Sequence, residues 1–154
     1  MFYDVDVWPE ADRLAGAILE SLGAMREHYA EVSGSFTTWP EPLHGGGWSV
    51  FPFKWQGVVV NDLFPWVRDE LVLNAGYSRM APGTVIEPHQ GYTSDVLRMH
   101  VGLFCPAGDC SIQVGQEVRH WRNGEVLLLD DTVMHSARNL TDSDRVILLL
   151  DLLK

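Results

Sequence analysis

The stretch VLRMHVGLF, residues 96–104, alternates between two kinds of side chain and predicts a β-strand. Every second residue from Leu97 to Leu103 is apolar, and Arg98 and His100 occupy positions between them. Successive side chains of a strand point to opposite faces, so one face is apolar and the other carries a cation and an imidazole. Such a face suits a pocket for an acidic ligand. A solvent-facing side of an antiparallel sheet explains the pattern equally well.

The sequence around this strand indicates a mainly β domain. From residue 71 onward, short apolar segments alternate with the turn sequences APG, PAGD, VGQ, RNGE and LTDSD, a pattern typical of an all-β sandwich or barrel. Residues 10–30 instead follow helical spacing. One face of this predicted helix is apolar and carries Leu14, Ile18, Leu22, Met25 and Tyr29. We expect it to pack against the β-domain.

The length and composition indicate a single domain spanning residues 1–154. The chain has 154 residues and 46% hydrophobic content, enough for one compact core. Residues 33–57 are rich in Gly, Pro, Ser and Trp and predict a long irregular segment, of the kind that is often functional.

The charge argues against some classes of partner. Eleven basic and 21 acidic residues give a formal net charge of −10, so we expect no nucleic acid and no membrane surface as partner. The first residues lack the pattern of a secretory signal, and the longest apolar run, VILLLDLL, is too short to span a bilayer. We expect a cytoplasmic protein that acts on a small-molecule or peptide substrate.

Two histidines are candidate metal ligands. His89 lies in EPHQGYTSDVLRMH, residues 87–100. Many mononuclear iron sites use two histidines and one carboxylate, and the carboxylate often lies two residues after the first histidine. Gly91 occupies that place here. The second candidate, His135, lies in GEVLLLDDTVMHSARN, after a predicted strand.

Arg145 opens the last predicted strand and shares a face with Ile147 and Leu149. Burying an arginine is unfavourable unless an anion pairs with it. The pattern therefore predicts an anionic ligand, such as a carboxylate, beside Arg145.

The chain resembles the aspartyl/asparaginyl β-hydroxylase family of Fe(II)- and 2-oxoglutarate-dependent oxygenases. The resemblance runs from about Gly76 to Asp151 and rests on YSRMAPGTVIEPHQG, LRMHVGL and GEVLLLDDTVMHSARN, with a weaker match in GGWSVF. It implies a double-stranded β-helix, or jelly roll, whose motif-bearing core spans about residues 71–153. Because this family binds iron with only two histidines, His89 and His135 would be the ligands and the catalytic centre.

The resemblance also implies the roles of other residues. Arg145 would pair with the distal carboxylate of the co-substrate 2-oxoglutarate, helped by Ser78 and His100. Arg98 would meet the substrate, and we expect Trp48 to line the pocket mouth. The implied reaction uses O2 to hydroxylate an unactivated carbon of an amino acid, an aspartyl- or asparaginyl-type residue or a related small molecule, with succinate and CO2 as co-products.

The sequence departs from the animal members at two positions. Those proteins have an arginine five residues before the Trp of the GW motif and a glutamine two residues after it, where this chain has Leu43 and Val50. The peptide substrate of those members is therefore not implied for this chain.

Several alternatives stay open at this stage. Gly91 would leave room for chloride, as in 2-oxoglutarate-dependent halogenases. His89, His100 and His135 would serve as a three-histidine metal site. A non-catalytic 2-oxoglutarate- or metal-binding module would use the same residues. The acidic pair Asp130 and Asp131 either holds a ligand imidazole in place or ends a strand at a turn.

Overall fold

The structure, a computed structural model, describes all residues, Met1–Lys154. Two α-helices, α1 and α2, span Pro9–Glu20 and Leu22–Val32, and two short 3-10 helices span Val5–Val7 and Pro65–Arg68. The twelve strands β1 to β12 are, in order, Phe2–Tyr3, Thr37–Thr38, Trp48–Trp55, Val58–Val59, Val72–Met80, Thr84–His89, Val96–Phe104, Cys110–Val114, Glu117–His120, Val126–Leu129, His135–Asn139 and Arg145–Leu153. None of the helices is both long and apolar enough to cross a membrane.

The strands form two antiparallel sheets. The large sheet has eight strands in the order β1-β10-β7-β12-β5-β3-β2, with β4 paired to β3. The small sheet has four strands in the order β6-β11-β8-β9. Two facing antiparallel sheets joined by crossovers form the jelly roll, so the predicted fold class is confirmed.

Strand β12 lies in the middle of the large sheet and is buried on both faces, which explains its nearly continuous apolar sequence. Its even-numbered residues from Val146 to Leu152 belong to a core of 20 buried residues under the helices. Ile147 and Leu149 belong to a second core of 11 buried residues between the two sheets. Arg145 shares the inner face of β12, as the sequence predicted.

The helix predicted over residues 10–30 is two helices in the structure. Helix α1 has Pro at its first position, where the missing N–H is tolerated, and ends at Ser21, from which α2 starts. The predicted apolar face continues across the break, since Leu22, Met25 and Tyr29 pack against the same core as α1. Met25 is the one fully buried residue of α2, whereas α1 buries Ala11, Leu14, Ala15 and Ile18.

The segment predicted to be irregular, residues 33–57, contains strand β3, so the jelly-roll core begins before residue 71. Trp48 and Val50 face the inner core, whereas Phe51 and Phe53 face the helices. Pro52 obscured this alternation in the sequence. The strand tolerates this proline because the register shifts there and the neighbouring strand β2 pairs only with residues 49 and 50.

Candidate active site

His89 and His135 face each other across two neighbouring strands. His89 ends β6, His135 begins β11, and the two residues are partners in the strand register. Their ring centroids are 4.2 Å apart. His135 is buried, and His89 is partly exposed. The two residues are 46 positions apart in the sequence, and the antiparallel pairing of β6 with β11 brings them together.

Backbone carbonyls orient both imidazoles. Nδ1 of His89 lies 2.7 Å from the carbonyl oxygen of Glu87, and Nδ1 of His135 lies 2.8 Å from that of Val133. A carbonyl oxygen only accepts hydrogen bonds, so each Nδ1 carries the proton and each Nε2 keeps a free lone pair. Burial lowers the pKa of His135 to about 4, which keeps this imidazole neutral at neutral pH. Both rings are therefore prepared to bind a metal ion through Nε2.

Arg145 is a buried cation without a carboxylate partner. Its side chain is 2% exposed, and its guanidinium lies 4.4 Å from the ring centroid of Trp121. One nitrogen, Nη2, donates to the carbonyl oxygen and the hydroxyl of Ser78, at 3.1 and 2.8 Å. Its Nε has no hydrogen-bond partner. Burial lowers the pKa of Arg145 to about 10, so the guanidinium stays charged at neutral pH and its desolvation remains uncompensated.

The hydroxyl of Ser78 remains free only as a hydrogen-bond donor. Its Oγ accepts hydrogen bonds from Arg145 and from Nε1 of Trp48, at 2.8 and 2.9 Å. A serine hydroxyl has two acceptor lone pairs and one donor. Both lone pairs are engaged, so the hydroxyl proton is directed to a further acceptor. Arg145 Nε and Ser78 Oγ thus present two donors to the same enclosed space.

His100 also faces this enclosed space. Its Nδ1 accepts a hydrogen bond from Nε1 of Trp121 at 3.0 Å, and its Nε2 has no partner. Because Nδ1 accepts, Nε2 carries the proton and is a third unpaired donor. Burial, followed by the positive charges of Arg145 and Arg98, holds the pKa of His100 well below its usual range. The imidazole is therefore neutral and complements an acceptor.

Two tryptophans contact the polar groups of the enclosed space. Trp48 was expected at the pocket mouth, but it is buried, donates to Ser78 and stacks on Trp39 at a centroid distance of 4.2 Å. Trp121 is buried and contacts both Arg145 and His100. A tryptophan's sequence position does not reveal which buried polar atoms its N–H reaches.

The carboxylate of Asp131 lies beside Gly91, the position at which the His-x-Asp motif lacks its aspartate. Gly91 replaces the aspartate of a His-x-Asp motif, yet a Cβ atom at position 91 would overlap the carboxylate group of Asp131. The Gly91 N–H also donates to the Asp131 carbonyl at 2.6 Å. Asp131 is 1% exposed, and its Oδ1 has no partner. Asp131 therefore occupies the space that a side chain at position 91 would need.

Asp130 and Asp131, the acidic pair before β11, make different contacts. Asp130 accepts hydrogen bonds from the backbone N–H and the hydroxyl of Thr132 and so stabilises the turn before β11. Asp131 instead lies 3.5 Å from a guanidinium nitrogen of Arg98. Neither carboxylate holds the Nδ1 atom of His89 or His135, because backbone carbonyls do so.

Arg98, expected to meet the substrate, is held by protein carboxylates. Its Nε and Nη2 donate to the two carboxylate oxygens of Asp151 at 2.8 and 3.2 Å, a two-point pairing. Asp151 also accepts from Asn74 at 3.0 Å. Arg98 still lines the space beside His89 and His135, so contact with a substrate stays a prediction.

We expect Arg98→Met to lower the free energy of unfolding by about 3 to 5 kcal/mol, because it leaves the buried carboxylates of Asp131 and Asp151 without a cation. Urea denaturation measures the change. The matched control is Asp151→Asn in the Arg98→Met background, which removes one of the uncompensated charges and should recover part of the loss. An unchanged midpoint in Arg98→Met would show that the pairing contributes little.

The donor set fits a metal ion and a dicarboxylate. Two imidazoles with free Nε2 atoms suit a first-row transition metal. No group of three or more His, Cys, Asp or Glu side chains is arranged to hold a metal ion. His100 is thus not assembled with His89 and His135 into a three-histidine site. Arg145, Ser78 and His100 supply unpaired donors for a carboxylate.

Comparison with known proteins identifies relatives of this chain. It is 43% identical over 75 residues to the aspartyl/asparaginyl β-hydroxylase of Mus musculus, covering 49% of this chain and 10% of that protein. It is 35% identical over 124 residues to aspartate β-hydroxylase domain-containing protein 2 of Mus musculus, and the match covers 70% of this chain and 36% of that protein. It is 39% identical over 82 residues to the ornithine lipid ester-linked acyl 2-hydroxylase of Rhizobium tropici, and the match covers 52% of this chain and 29% of that protein. The matches thus span about a third or less of these relatives.

Solved structures share the fold. A predicted oxalate decarboxylase from Thermotoga maritima superposes with a TM-score of 0.55 at 13% identity, covering 77% of this chain and 90% of that one. The cupin domain of an XRE-family transcriptional regulator from Enterobacter cloacae superposes with a TM-score of 0.51 at 17% identity, covering 71% of this chain and 99% of that one. These similarities concern the fold alone.

The family model described as aspartyl/asparaginyl β-hydroxylase matches residues 15–154, nearly the whole chain. The match includes both histidines, Ser78, His100 and Arg145. The chain therefore belongs to the aspartyl/asparaginyl β-hydroxylase family.

Proposed function

We propose that the protein is an Fe(II)- and 2-oxoglutarate-dependent dioxygenase that hydroxylates an unactivated carbon and releases succinate and CO2. His89 and His135 hold the iron through their Nε2 atoms. Arg145, Ser78 and His100 bind the distal carboxylate of 2-oxoglutarate. When bound, the iron and 2-oxoglutarate supply the oxidising power for hydroxylation by O2.

The observation that carries this proposal is the buried guanidinium of Arg145, which lines the same enclosed space as His89 and His135. An uncompensated buried cation is unfavourable, and a carboxylate in contact with it removes the penalty. The planar guanidinium, the Ser78 hydroxyl and the His100 N–H match the several lone pairs of one carboxylate. A dicarboxylate anchored at this end would extend its other end toward His89 and His135, which line the same space.

The chain's own side chains orient the reactants and exclude water. Trp121 covers one face of the Arg145 guanidinium, and Trp48 holds the Ser78 hydroxyl in place. The free space lined by Ser78, Trp121, Arg145 and the histidines is about 30 Å³. A dicarboxylate as large as 2-oxoglutarate therefore binds there only if lining side chains move apart.

Halogenation is the second candidate, and the position of Asp131 argues against it. A halide beside the two histidines would need the space at Gly91, which the Asp131 carboxylate occupies. Two anions in contact at a buried site repel each other strongly. A chlorinated product formed in chloride buffer, detected by mass spectrometry, would support halogenation and contradict hydroxylation.

Succinate release tests the proposal directly. We expect release that requires 2-oxoglutarate, Fe(II) and O2, stops with a chelator and resumes when Fe(II) is restored. In a substrate screen, a product heavier by one oxygen atom identifies hydroxylation. Anaerobic binding of 2-oxoglutarate without any succinate release in air across the screen would instead support a non-catalytic binding module.

We expect Ser78→Ala to weaken 2-oxoglutarate binding by at least about tenfold, because a hydrogen bond to a charged group contributes about 1.5 to 3 kcal/mol. Anaerobic titration calorimetry of the Fe(II)-loaded protein measures the change. Ser49→Ala is the matched control, since Ser49 lies one residue from Trp48 on the same sheet but does not line the enclosed space. Equal affinities of the two variants would remove Ser78 from the site.

A further inference from the structure

A cavity of about 680 Å³ lies on the inner face of the large sheet. None of its lining residues belongs to the small sheet, so it is the part of the inner face that the small sheet leaves uncovered. Arg98 and Leu149 line both this cavity and the space around His89 and His135. The cavity therefore adjoins the proposed catalytic centre.

The cavity is elongated across the sheet. Its walls include Leu149 of β12, Gly76 of β5, Val50 of β3 and Thr38 of β2, besides Arg98 of β7. These five strands are consecutive neighbours in the order β7-β12-β5-β3-β2. Four inter-strand spacings of about 4.8 Å give a length of roughly 19 Å. A free amino acid would fill only a small part of it.

The wall is largely apolar at the points that a ligand would contact. Trp39 and Trp55 provide aromatic surface, and Val50, Pro52 and Leu149 provide aliphatic surface. The exposed Val60 and Tyr92 extend this surface to the rim. Such side chains gain free energy when apolar ligand surface covers them.

Every charged side chain of this wall already has a protein partner. Arg98 and Asp151 pair with each other. Glu41 accepts a hydrogen bond from Trp39, and the Lys54 ammonium donates to the carbonyl of Asp69, which does not line the cavity. Each charged group of the wall thus has at least one hydrogen-bond partner within the protein.

The polar groups at the rim are also paired. The Tyr92 hydroxyl accepts hydrogen bonds from the side chains of Asn74 and Gln56, both at 3.2 Å. The backbone N–H of Gln56 donates to Asn74 at 2.7 Å. These contacts leave few free groups to recognise a charged ligand.

We propose that this cavity binds an uncharged alkyl chain of the substrate, so that the enzyme acts on a small amphiphilic molecule and not on an acidic or amide side chain. This inference rests on the proposed function for its catalytic meaning. The binding itself depends only on the cavity. An alkyl chain matches the two observed features, namely the length of the cavity and its apolar wall.

Binding of straight-chain 1-alkanols, from butanol to decanol, tests the proposal. Quenching or enhancement of tryptophan fluorescence reports occupancy, because Trp39 and Trp55 line the cavity. We expect the affinity to rise about three- to fourfold for each added methylene. N-acetylaspartate amide should produce no saturable change. An affinity that does not depend on chain length, or tighter binding of N-acetylaspartate amide than of decanol, would overturn the proposal.

A matched pair of surface variants locates the binding site. Val60 lines the cavity and is 52% exposed, whereas Val58 lies two residues away, is 66% exposed and does not line it. Val60→Asp should weaken decanol binding at least about tenfold by placing a charge against the chain. Val58→Asp should leave it unchanged. Equal effects of the two substitutions would place the alkanol elsewhere and contradict the proposal.

The alkanol titrations use the protein without iron or 2-oxoglutarate. Alkyl binding without succinate release in any substrate screen would refute the proposed function and keep the cavity assignment. Succinate release with acidic or amide substrates, without length-dependent alkanol binding, would refute the cavity assignment and keep the proposed function.

Discussion

Replacing either His89 or His135 by alanine is expected to abolish Fe(II)-dependent succinate release. Each imidazole offers one free Nε2, and the two rings face each other across β6 and β11. Losing one ring leaves a single protein nitrogen beside the Asp131 carboxylate, which is too few ligands to retain Fe(II) against water and buffer. Anaerobic Fe(II) titration, followed by a succinate assay, measures metal binding and turnover separately.

His120→Ala is the matched control for this experiment. His120 is exposed on β9, and its Nδ1 lies 3.1 Å from the carbonyl oxygen of Cys110, so it also has a backbone-bonded imidazole. It lies outside the space that His89 and His135 line. We expect nearly full iron binding and turnover in this variant. Damage as large as that of His135→Ala would contradict the ligand assignment.

Replacing Arg145 by methionine is expected to weaken 2-oxoglutarate binding by about 2 to 5 kcal/mol, or roughly 30- to 5000-fold. Methionine keeps an unbranched side chain against Trp121 and removes the charge. It also removes the cost of an uncompensated buried cation, so the variant should be at least as stable as the parent protein in urea denaturation. Reduced affinity combined with retained stability separates a binding role from a structural one.

Two further variants sharpen the Arg145 experiment. Arg138→Met removes an exposed arginine that pairs with Asp109 on the small sheet, and we expect no change in affinity. Arg145→Lys keeps a positive charge without the planar two-point geometry, and we expect an affinity between those of the parent and of Arg145→Met. Fe(II) affinity should stay the same in all three variants. Unaltered 2-oxoglutarate affinity in Arg145→Met would remove this residue from the site.

Membership of the family does not by itself identify the substrate. The relatives include a hydroxylase named for an aspartyl or asparaginyl target and one named for a lipid acyl group. Val50 replaces a polar residue of the animal members and lines the large cavity here. We therefore expect the cavity wall, and not the metal centre, to distinguish substrates within this family.

The sequence by itself determined the features that depend on local periodicity. The alternation of residues 96–104 placed Arg98 and His100 on one face of β7, and both line the enclosed space. The pattern after Arg145 predicted a buried strand, and β12 is buried on both faces. These predictions succeed because the two-residue period of a strand assigns each side chain to a face before any partner strand is known.

The same periodicity was insufficient where the chain is irregular. Pro52 and a register shift hid β3, and Ser21 divides the N-terminal helix. In each case a single residue interrupts the strand or helix periodicity of the sequence, which otherwise continues. The tertiary contacts of the flanking apolar residues, and not the pattern, decided the element.

Only the tertiary structure decided which atoms meet. It placed Asp131 against Gly91, where the sequence showed only a missing carboxylate, and it engaged Arg98 with Asp151. It brought Trp121 to Arg145 and left a cavity across five strands of the large sheet. The physical reason is that hydrogen bonds and ion pairs act over a few ångströms between side chains from distant parts of the chain. Their partners depend on strand register and sheet packing, which a local pattern does not specify.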